Sequence, residues 1–227
     1  FATALTLLAS IVACVWMLPG GQFLGVGHFV VLSAPVLVLK QSLVVLALFT
    51  LLISAESDFT DHIGEYFALV LLATVGMMLV VSAENLLMIF LALELTSLSL
   101  YALTAMNKAD PRATEAGLKY FLFGAMASAV ALYGISLLYG VAGSLNLEAI
   151  GDVVEDRGFT LALAVALVMI VAGLGFKVAA APFHFWAPDA YQGAPGPVAA
   201  LVASGSKVAG FIIFSRIMSM GFSGMEG

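Results

Sequence analysis

Two lysines and one glutamate lie inside stretches of sequence that are otherwise apolar enough to cross a membrane. Lys177 and Lys207 stand among small and apolar residues, and Glu94 lies within the run LLMIFLALELTSLSLYAL. A charge at membrane depth costs at least about 2.5–3.5 kcal/mol on insertion scales, so it normally marks an ion or proton pathway. These residues therefore predict chemistry in which charge moves through a bilayer.

Each of these side chains could hold a proton. Glu94 follows Asn85 by nine residues, which is about 14 Å along a helix and close to mid-bilayer. There an unpaired carboxylate takes up a proton or attracts a cation. Burial and neighbouring charges readily change the proton affinity of lysine, and His184 could pass a proton on either ring nitrogen. The alternative is a set of buried charges that only fixes helix register.

The remaining charged residues predict less. Lys119 lies about five residues into its predicted helix, so its ammonium belongs either to the same relay or to the headgroup region. Asp189 is expected to cap a helix, and Glu84 is expected to be exposed at the edge of a loop. Asp110 and Pro111 fit the start of a helix.

The composition identifies an integral membrane protein. Of 227 residues, 63% are hydrophobic and only 10% are charged, whereas soluble domains carry about 25% charged residues. A net charge of −6 without a basic face argues against nucleic acid as a partner. The single cysteine excludes an internal disulfide and thiolate metal clusters. The chain opens without Met inside an apolar run, so we expect a fragment of a longer protein.

The apolar stretches predict an all-α fold with about seven transmembrane helices, since about 20 apolar residues cross the hydrocarbon core. They cover residues 1–18, 35–55, 65–83, 85–107, 114–142, 159–181 and 197–220, with polar or Gly/Pro-rich connectors that include GSLNLEAIGDVVEDRG. Lys108 and Arg112 weakly favour a cytoplasmic location for the loop between the fourth and fifth stretches.

The sixth stretch predicts a broken helix. Residues 159–193 would extend about 52 Å as one helix, and Pro182 and Pro188 lie inside them. Proline lacks the N–H that an inner turn needs, and broken helices beside charged side chains form ion sites in transporters. The alternative is a helix that ends near residue 181, followed by an interfacial loop anchored by Trp186 and Tyr191.

Three runs carry a resemblance to a known family: LALELTSLSLYALTA, EAGLKYFLFGAMASAVALYGISLLYGVAGSL and GFKVAAAPFHFWAPDAYQGAPGPVAALVASGSKVAGF. They resemble the antiporter-like membrane subunits of proton-pumping NADH:quinone oxidoreductase (respiratory complex I), and in particular the subunit N family. The similarity runs from about residue 65 to 216. Residues 1–64 match mainly in pattern.

The resemblance implies a domain organisation and a site. Residues 1–60 would be N-terminal transmembrane helices, 61–220 one five-helix antiporter-like repeat with its broken helix at about 159–193, and 221–227 the start of a truncated remainder. The family's proton-carrying positions fall on five residues of this chain: Glu94, Lys119, Lys177, His184 and Lys207. In this family Glu94 would pair with a lysine and tune its proton affinity, while Lys177, His184 and Lys207 would pass the proton laterally.

The implied function is coupling of NADH-to-quinone electron transfer to proton pumping. The partners would be other membrane-arm subunits and the lipid bilayer, with NADH and quinone bound by other subunits and no cofactor or metal in this chain. We expect a bacterial inner membrane, and less readily an organellar one. Three alternatives stay open: a subunit of a multi-subunit cation/proton antiporter, a related redox-driven pump such as a membrane-bound hydrogenase, and a membrane scaffold. The segment APDAYQGAPGP favours the complex I family over the antiporters.

Overall fold

Helices make up most of the part of the chain that the structure describes. The structure is a computed structural model that describes residues 2–17, 23–24, 29–158 and 160–222. The helices are α1 (Ala2–Met17), α2 (Ala34–Ser54), α3 (Ile63–Ser82), α4 (Leu86–Thr104), α5 (Pro111–Ala142), α6 (Leu147–Arg157), α7 (Leu161–Val178), α8 (Trp186–Gly193), α9 (Gly196–Ala203) and α10 (Gly205–Phe222). The short strands β1 (Phe23–Leu24) and β2 (Val31–Leu32) pair antiparallel, with Phe23 opposite Leu32. The predicted all-α class is confirmed.

Six helical segments in the described part are long and apolar enough to span a membrane. They are α2, α3, α4, α5, α7 and the continuous segment Gly196–Ser219, which joins α9 to most of α10. The first predicted stretch, residues 1–18, forms α1 over its described residues, Ala2–Met17. The other six predicted stretches correspond to the six candidate spans.

Local capping sets where the spanning helices begin. The side chain of Asn85 accepts a hydrogen bond from the Leu87 amide at the start of α4, and Thr160 accepts from Leu163 at the start of α7. Asp110 caps α5, with Pro111 at the first helical position, as the sequence predicts. The helix α5 therefore begins at the predicted cap, three residues before the apolar stretch that starts at residue 114.

The broken helix predicted across residues 159–193 is present as α7 and α8, separated by a turn. The helix α7 ends at Val178 because Ala179 adopts a left-handed conformation with φ 57°. The Ala180 amide then donates to the carbonyl of Gly175 at 2.8 Å. Pro182 lies in the turn, as expected. Pro188 does not interrupt a helix. It falls in the first turn of α8, where the backbone N–H groups have no partner within the helix.

A second interruption was not predicted. The stretch 197–220 forms two helices, α9 and α10, which meet at Ser204. The Ser204 backbone departs from regular helix geometry, with φ −108° and ψ −75°, although its amide still donates to the carbonyl of Ala200 at 3.0 Å. Lys207 lies in the first turn of α10, so both lysines of the predicted site lie next to an interruption.

The connector GSLNLEAIGDVVEDRG also contains more structure than expected. Residues Leu147–Arg157 form α6, whose start is capped by the side chain of Asn146. Leu147, Ile150 and Val154 bury one face against the bundle, at the spacing of one side of a helix. The sequence predicts a polar connector instead, because the charged residues of this segment obscure that spacing.

The α3–α4 connector is fixed from three directions at one end of the bundle. The Glu84 amide donates to the carbonyl of Phe29, and the Glu84 carbonyl accepts from Leu147, both at 3.0 Å. Arg216 on α10 donates to the carbonyls of Val81 and Ala83 at 3.3 and 3.0 Å. Its guanidinium also lies 3.4 Å from the Glu84 carboxylate. The expectation that Glu84 is exposed was wrong: its side chain is only 28% exposed.

Candidate functional site

Lys177 is buried at the end of α7 and is held by a neutral acceptor. The residue is only 6% exposed, and its Nζ donates to the Oγ of Ser97 on α4 at 2.9 Å. The Ser97 hydroxyl in turn donates to the carbonyl of Leu93 at 2.6 Å. The serine therefore offers a lone pair to the ammonium while its proton is bonded within α4.

Lys207 reaches the same place from α10. Its Nζ donates to the backbone carbonyl of Lys177 at 2.8 Å and lies 4.3 Å from the ring centroid of Trp186. A carbonyl at the end of a helix has no partner in its own ladder, and the helix dipole makes that end attractive to cations. The break in α7 thus supplies the acceptor that binds the second lysine.

Glu94 faces Lys177 across a small cavity and does not bind it directly. The Glu94 carboxylate accepts a hydrogen bond from the Oγ of Ser128 on α5 at 2.5 Å. Among the described residues, Glu94 forms no ion pair within 4.0 Å. The two residues line one cavity of about 30 Å³ together with Ser97, which is room for a water molecule. Their charges attract each other across it.

Lys119 lies outside this buried group. Its ammonium pairs with Glu115 at 2.6 Å and with Asp189 of α8 at 3.1 Å, and its side chain is 39% exposed. Ion pairs this exposed contribute little to stability, because water screens them. Asp189 was expected to serve as a helix cap; it lies in the first turn of α8, and its carboxylate ties that helix to α5.

His184 is also set apart from the two lysines. It lies in the exposed turn between α7 and α8, and its ring stacks on Phe185 with 4.9 Å between centroids. The arrangement brings together Glu94, Lys177 and Lys207, and leaves Lys119 and His184 at the periphery of the chain. No group of three His, Cys, Asp or Glu side chains placed to hold a metal ion occurs in the described ranges.

Three elements of the site were missed by sequence reasoning: two serines and an aromatic cluster. Ser97 lies three residues after Glu94, on the same helical face, so helical spacing could have identified it. Ser128 is on another helix, and no local pattern links it to Glu94. Trp186, which the alternative interpretation of the sixth stretch makes an interfacial anchor, is 2% exposed and lies in the core.

The aromatic cluster packs behind the lysines. Trp186 stacks on Tyr120 of α5 with 4.2 Å between ring centroids and an angle of 1°. Tyr101 of α4 meets Tyr120 edge-on at 4.6 Å. Gly124 makes this possible, because a Cβ there would overlap the Tyr101 hydroxyl.

Known proteins resemble this chain in sequence. The family described as "NADH:quinone oxidoreductase/Mrp antiporter, TM" matches residues 83–226, more than half of the chain. The protein named NADH-quinone oxidoreductase subunit N 2 of Acidobacterium capsulatum is 50% identical over 196 residues, which cover 81% of this chain and 39% of that protein.

Solved structures resemble it in fold. A chain of respiratory complex I from Thermus thermophilus has a TM-score of 0.81 and 39% identity, and the match covers 95% of this chain and 46% of that one. A chain of an archaeal membrane-bound sulfane sulfur reductase has a TM-score of 0.88, 26% identity and coverages of 98% and 49%. A chain of the Mrp complex from Dietzia, at 22% identity, a TM-score of 0.82 and coverages of 99% and 44%, shows the shared fold alone. The chain thus spans less than half the length of these relatives.

Proposed function

Since this chain belongs to the family of NADH:quinone oxidoreductase and Mrp antiporter membrane proteins, we propose that it serves proton translocation in NADH:quinone oxidoreductase. It is a multi-pass protein with bacterial relatives that carry the subunit N name, in agreement with the predicted bacterial membrane. Its partners are other membrane-arm subunits, while NADH and quinone bind to other subunits of the complex. The chain itself moves protons and carries no redox cofactor.

One observation supports this proposal most strongly: Glu94, Lys177 and Lys207, from three different helices, are neighbours in a series of contacts inside the bundle. Ser97 joins the Lys177 ammonium to α4, and the Lys177 carbonyl joins it to Lys207. Charges this deep are expensive, and a purely structural role would be served better by a direct ion pair than by a gap between Glu94 and Lys177.

The mechanism follows from the order of the charges. Glu94 attracts a positive charge on Lys177, whereas positive charges on Lys177 and Lys207 repel each other. When events elsewhere neutralise or displace the Glu94 charge, the hold on the Lys177 proton weakens and the balance shifts toward Lys207. The Lys177 carbonyl orients Lys207 but does not itself carry a proton. The proton therefore passes from one amine to the other either when one side chain moves or by way of water.

A cation/proton antiporter is the second candidate, because the family description includes the Mrp antiporters. The relatives named for subunit N reach 50% identity, against 22% for the Mrp complex chain. We therefore rank the respiratory function first. Sodium flux by the reconstituted protein without any redox partner would support the antiporter instead.

The test is redox-driven proton uptake by the intact, reconstituted complex that carries Lys177→Ala or Lys207→Ala in the full-length subunit. Electron transfer is measured alongside as a check of assembly, and Lys108→Ala, an exposed lysine, is the matched control. We expect proton uptake per electron to fall in both variants and to persist in the control. Wild-type pumping in both variants would falsify the proposal and favour the scaffold.

A further inference from the structure

The indole of Trp186 touches three helices at the break. Trp186 is the first residue of α8, and its Nε1–H donates to the carbonyl of Phe176 on α7 at 3.0 Å. Its ring stacks in parallel on Tyr120 of α5. The Nζ of Lys207 of α10 also lies 4.3 Å from the ring centroid.

The Lys207 ammonium is therefore held between two acceptors of different kinds. One is the Lys177 carbonyl at 2.8 Å, and the other is the π face of the indole. The face of an aromatic ring carries negative potential that attracts a cation, and tryptophan is the strongest of the aromatic side chains in this respect. Lys207 is half-buried, and between the exposed and the desolvated limit such an attraction changes the population of the held position by about two- to thirtyfold.

We infer that Trp186 is a positioning residue for proton transfer, holding the Lys207 ammonium against the broken end of α7. The inference rests on the proposed function, because it requires that Lys207 carries a proton during pumping.

The position of the indole is itself fixed by contacts of α8 with α5. Asp189 pairs with Lys119 of α5, and a Cβ at Gly193 would lie 2.7 Å from the carbonyl of Arg112, so the two backbones are in close contact. A shift of α8 along α5 would carry the indole away from Lys207. Lys119 lies outside the buried group, but its ion pair with Asp189 helps to hold α8 in place. Lys119 thereby influences Lys207 through the position of the Trp186 indole.

A packing role and a positioning role make different demands on the ring. Packing needs the volume of the indole and its hydrogen bond to Phe176, whereas positioning also needs the negative potential of the ring face. Fluorination of the ring removes that potential in steps, with little change in volume and with the N–H retained. The two roles can therefore be separated without truncating the side chain.

The experiment places mono-, di- and tetrafluorinated tryptophan at position 186 of the full-length subunit, in the intact reconstituted complex. Proton uptake per electron is compared with that of wild type and of Lys207→Met, and the electron-transfer rate reports assembly. We expect the ratio to fall with each step of fluorination and to approach that of Lys207→Met at the tetrafluorinated ring. A fluorinated phenylalanine at Phe185, which is 71% exposed, serves as the control and should pump as wild type.

Each outcome bears on a different statement. A ratio unchanged across the series, with Lys207→Met still impaired, overturns the positioning role and leaves the proposed function intact. If Lys207→Met pumps as wild type, the proposed function fails and the inference fails with it. Should the tetrafluorinated protein not assemble, the first two steps of the series decide.

Discussion

Both lysines of the site are bound by neutral acceptors, a serine hydroxyl for Lys177 and a backbone carbonyl for Lys207. A lysine paired directly with a carboxylate would leave a buried anion behind whenever it lost its proton, which is costly. A hydroxyl or a carbonyl stays neutral in either state. The site therefore tolerates loss of the proton better than an ion pair would, as a relay requires.

Replacement of Ser97 by alanine should impair pumping. The change removes the acceptor of the Lys177 ammonium, and a hydrogen bond to a charged group contributes about 1.5–3 kcal/mol, or roughly tenfold or more in a rate or equilibrium. The measurement is proton uptake per electron in the reconstituted complex. Ser99→Ala is the matched control, because Ser99 is equally buried on α4 but bonds only to the carbonyl of Leu95 in its own helix. Equal effects of the two substitutions would show that the Lys177 bond is unimportant.

The identity of the charged residues could be read from the sequence, but their partners could not. Glu94, Lys177 and Lys207 stand out because charge is rare in apolar stretches. Ser128 and the Lys177 carbonyl become partners only when α5 and α10 pack against α4 and α7. Such contacts between distant parts of a chain leave no local pattern to detect.

Among the helices, α5 and α7 approach closely because small residues line their contact. A Cβ on Gly173 of α7 would lie 2.5 Å from the Ala131 side chain and 2.8 Å from the Ala127 carbonyl of α5. Helices in membranes associate through such small residues, since the lipid offers no hydrophobic drive. The contact matters for the site because Ser128 is on α5 and Lys177 is on α7.

We expect Gly173→Ala to destabilise the subunit by about 1–3 kcal/mol, the usual cost of overpacking. The added methyl group must push α5 away from α7. Thermal unfolding of the purified complex and the amount of assembled subunit measure this effect. Gly140→Ala on α5 is the control, because no atom lies within 4 Å of a Cβ built there, and alanine suits a helix better than glycine. A control as unstable as Gly173→Ala would contradict this account.

Helix ends were harder to predict than helix existence. Asp110 and Pro111 marked the start of α5 correctly. The end of α7 carries no such signal, because Ala179 takes a left-handed conformation that sequence rules assign to glycine. Ser204, between α9 and α10, likewise gives no sequence signal of an interruption, since serine is common inside membrane helices.

At the scale of the whole molecule, Arg216 connects the last described helix to the α3–α4 connector. It donates to two carbonyls and meets the Glu84 carboxylate, while the same connector bonds to the segments around Phe29 and Leu147. Four parts of the chain are thus joined at one end of the bundle, opposite the end that holds α8.

Substitutions that remove these bonds should lower the stability of the complex, and the loss should be larger for Arg216 than for Glu84. Arg216→Met leaves two carbonyls and one carboxylate without their cation, and we expect a loss of about 2 kcal/mol. Glu84→Gln should cost less, because the guanidinium keeps both carbonyls. The measurement is the unfolding temperature of the complex, with exposed Arg112→Met as the control. A larger loss for Glu84→Gln than for Arg216→Met would refute this order.

The all-α class, six of the predicted membrane spans and the membrane setting followed from hydrophobic runs and their spacing. The α6 helix and the connections around Glu84 did not, because they depend on short segments whose apolar residues find partners only in the assembled bundle. The break between α7 and α8 was predictable from proline. The binding of Lys207 to the α7 side of the break, at the Lys177 carbonyl, was not.

The hydrogen bond from the Lys207 ammonium to the backbone carbonyl of Lys177 joins two helices, α10 and α7, that pack side by side. Moving one elementary charge across the whole membrane involves about 2.3 kcal/mol per 100 mV of potential, but a step within the membrane plane crosses almost none of that field. On the proposed function, lateral exchange of a proton between these two helices would therefore do little work against the transmembrane voltage. Most of that work would fall on the steps that load and unload the pair from the two aqueous sides.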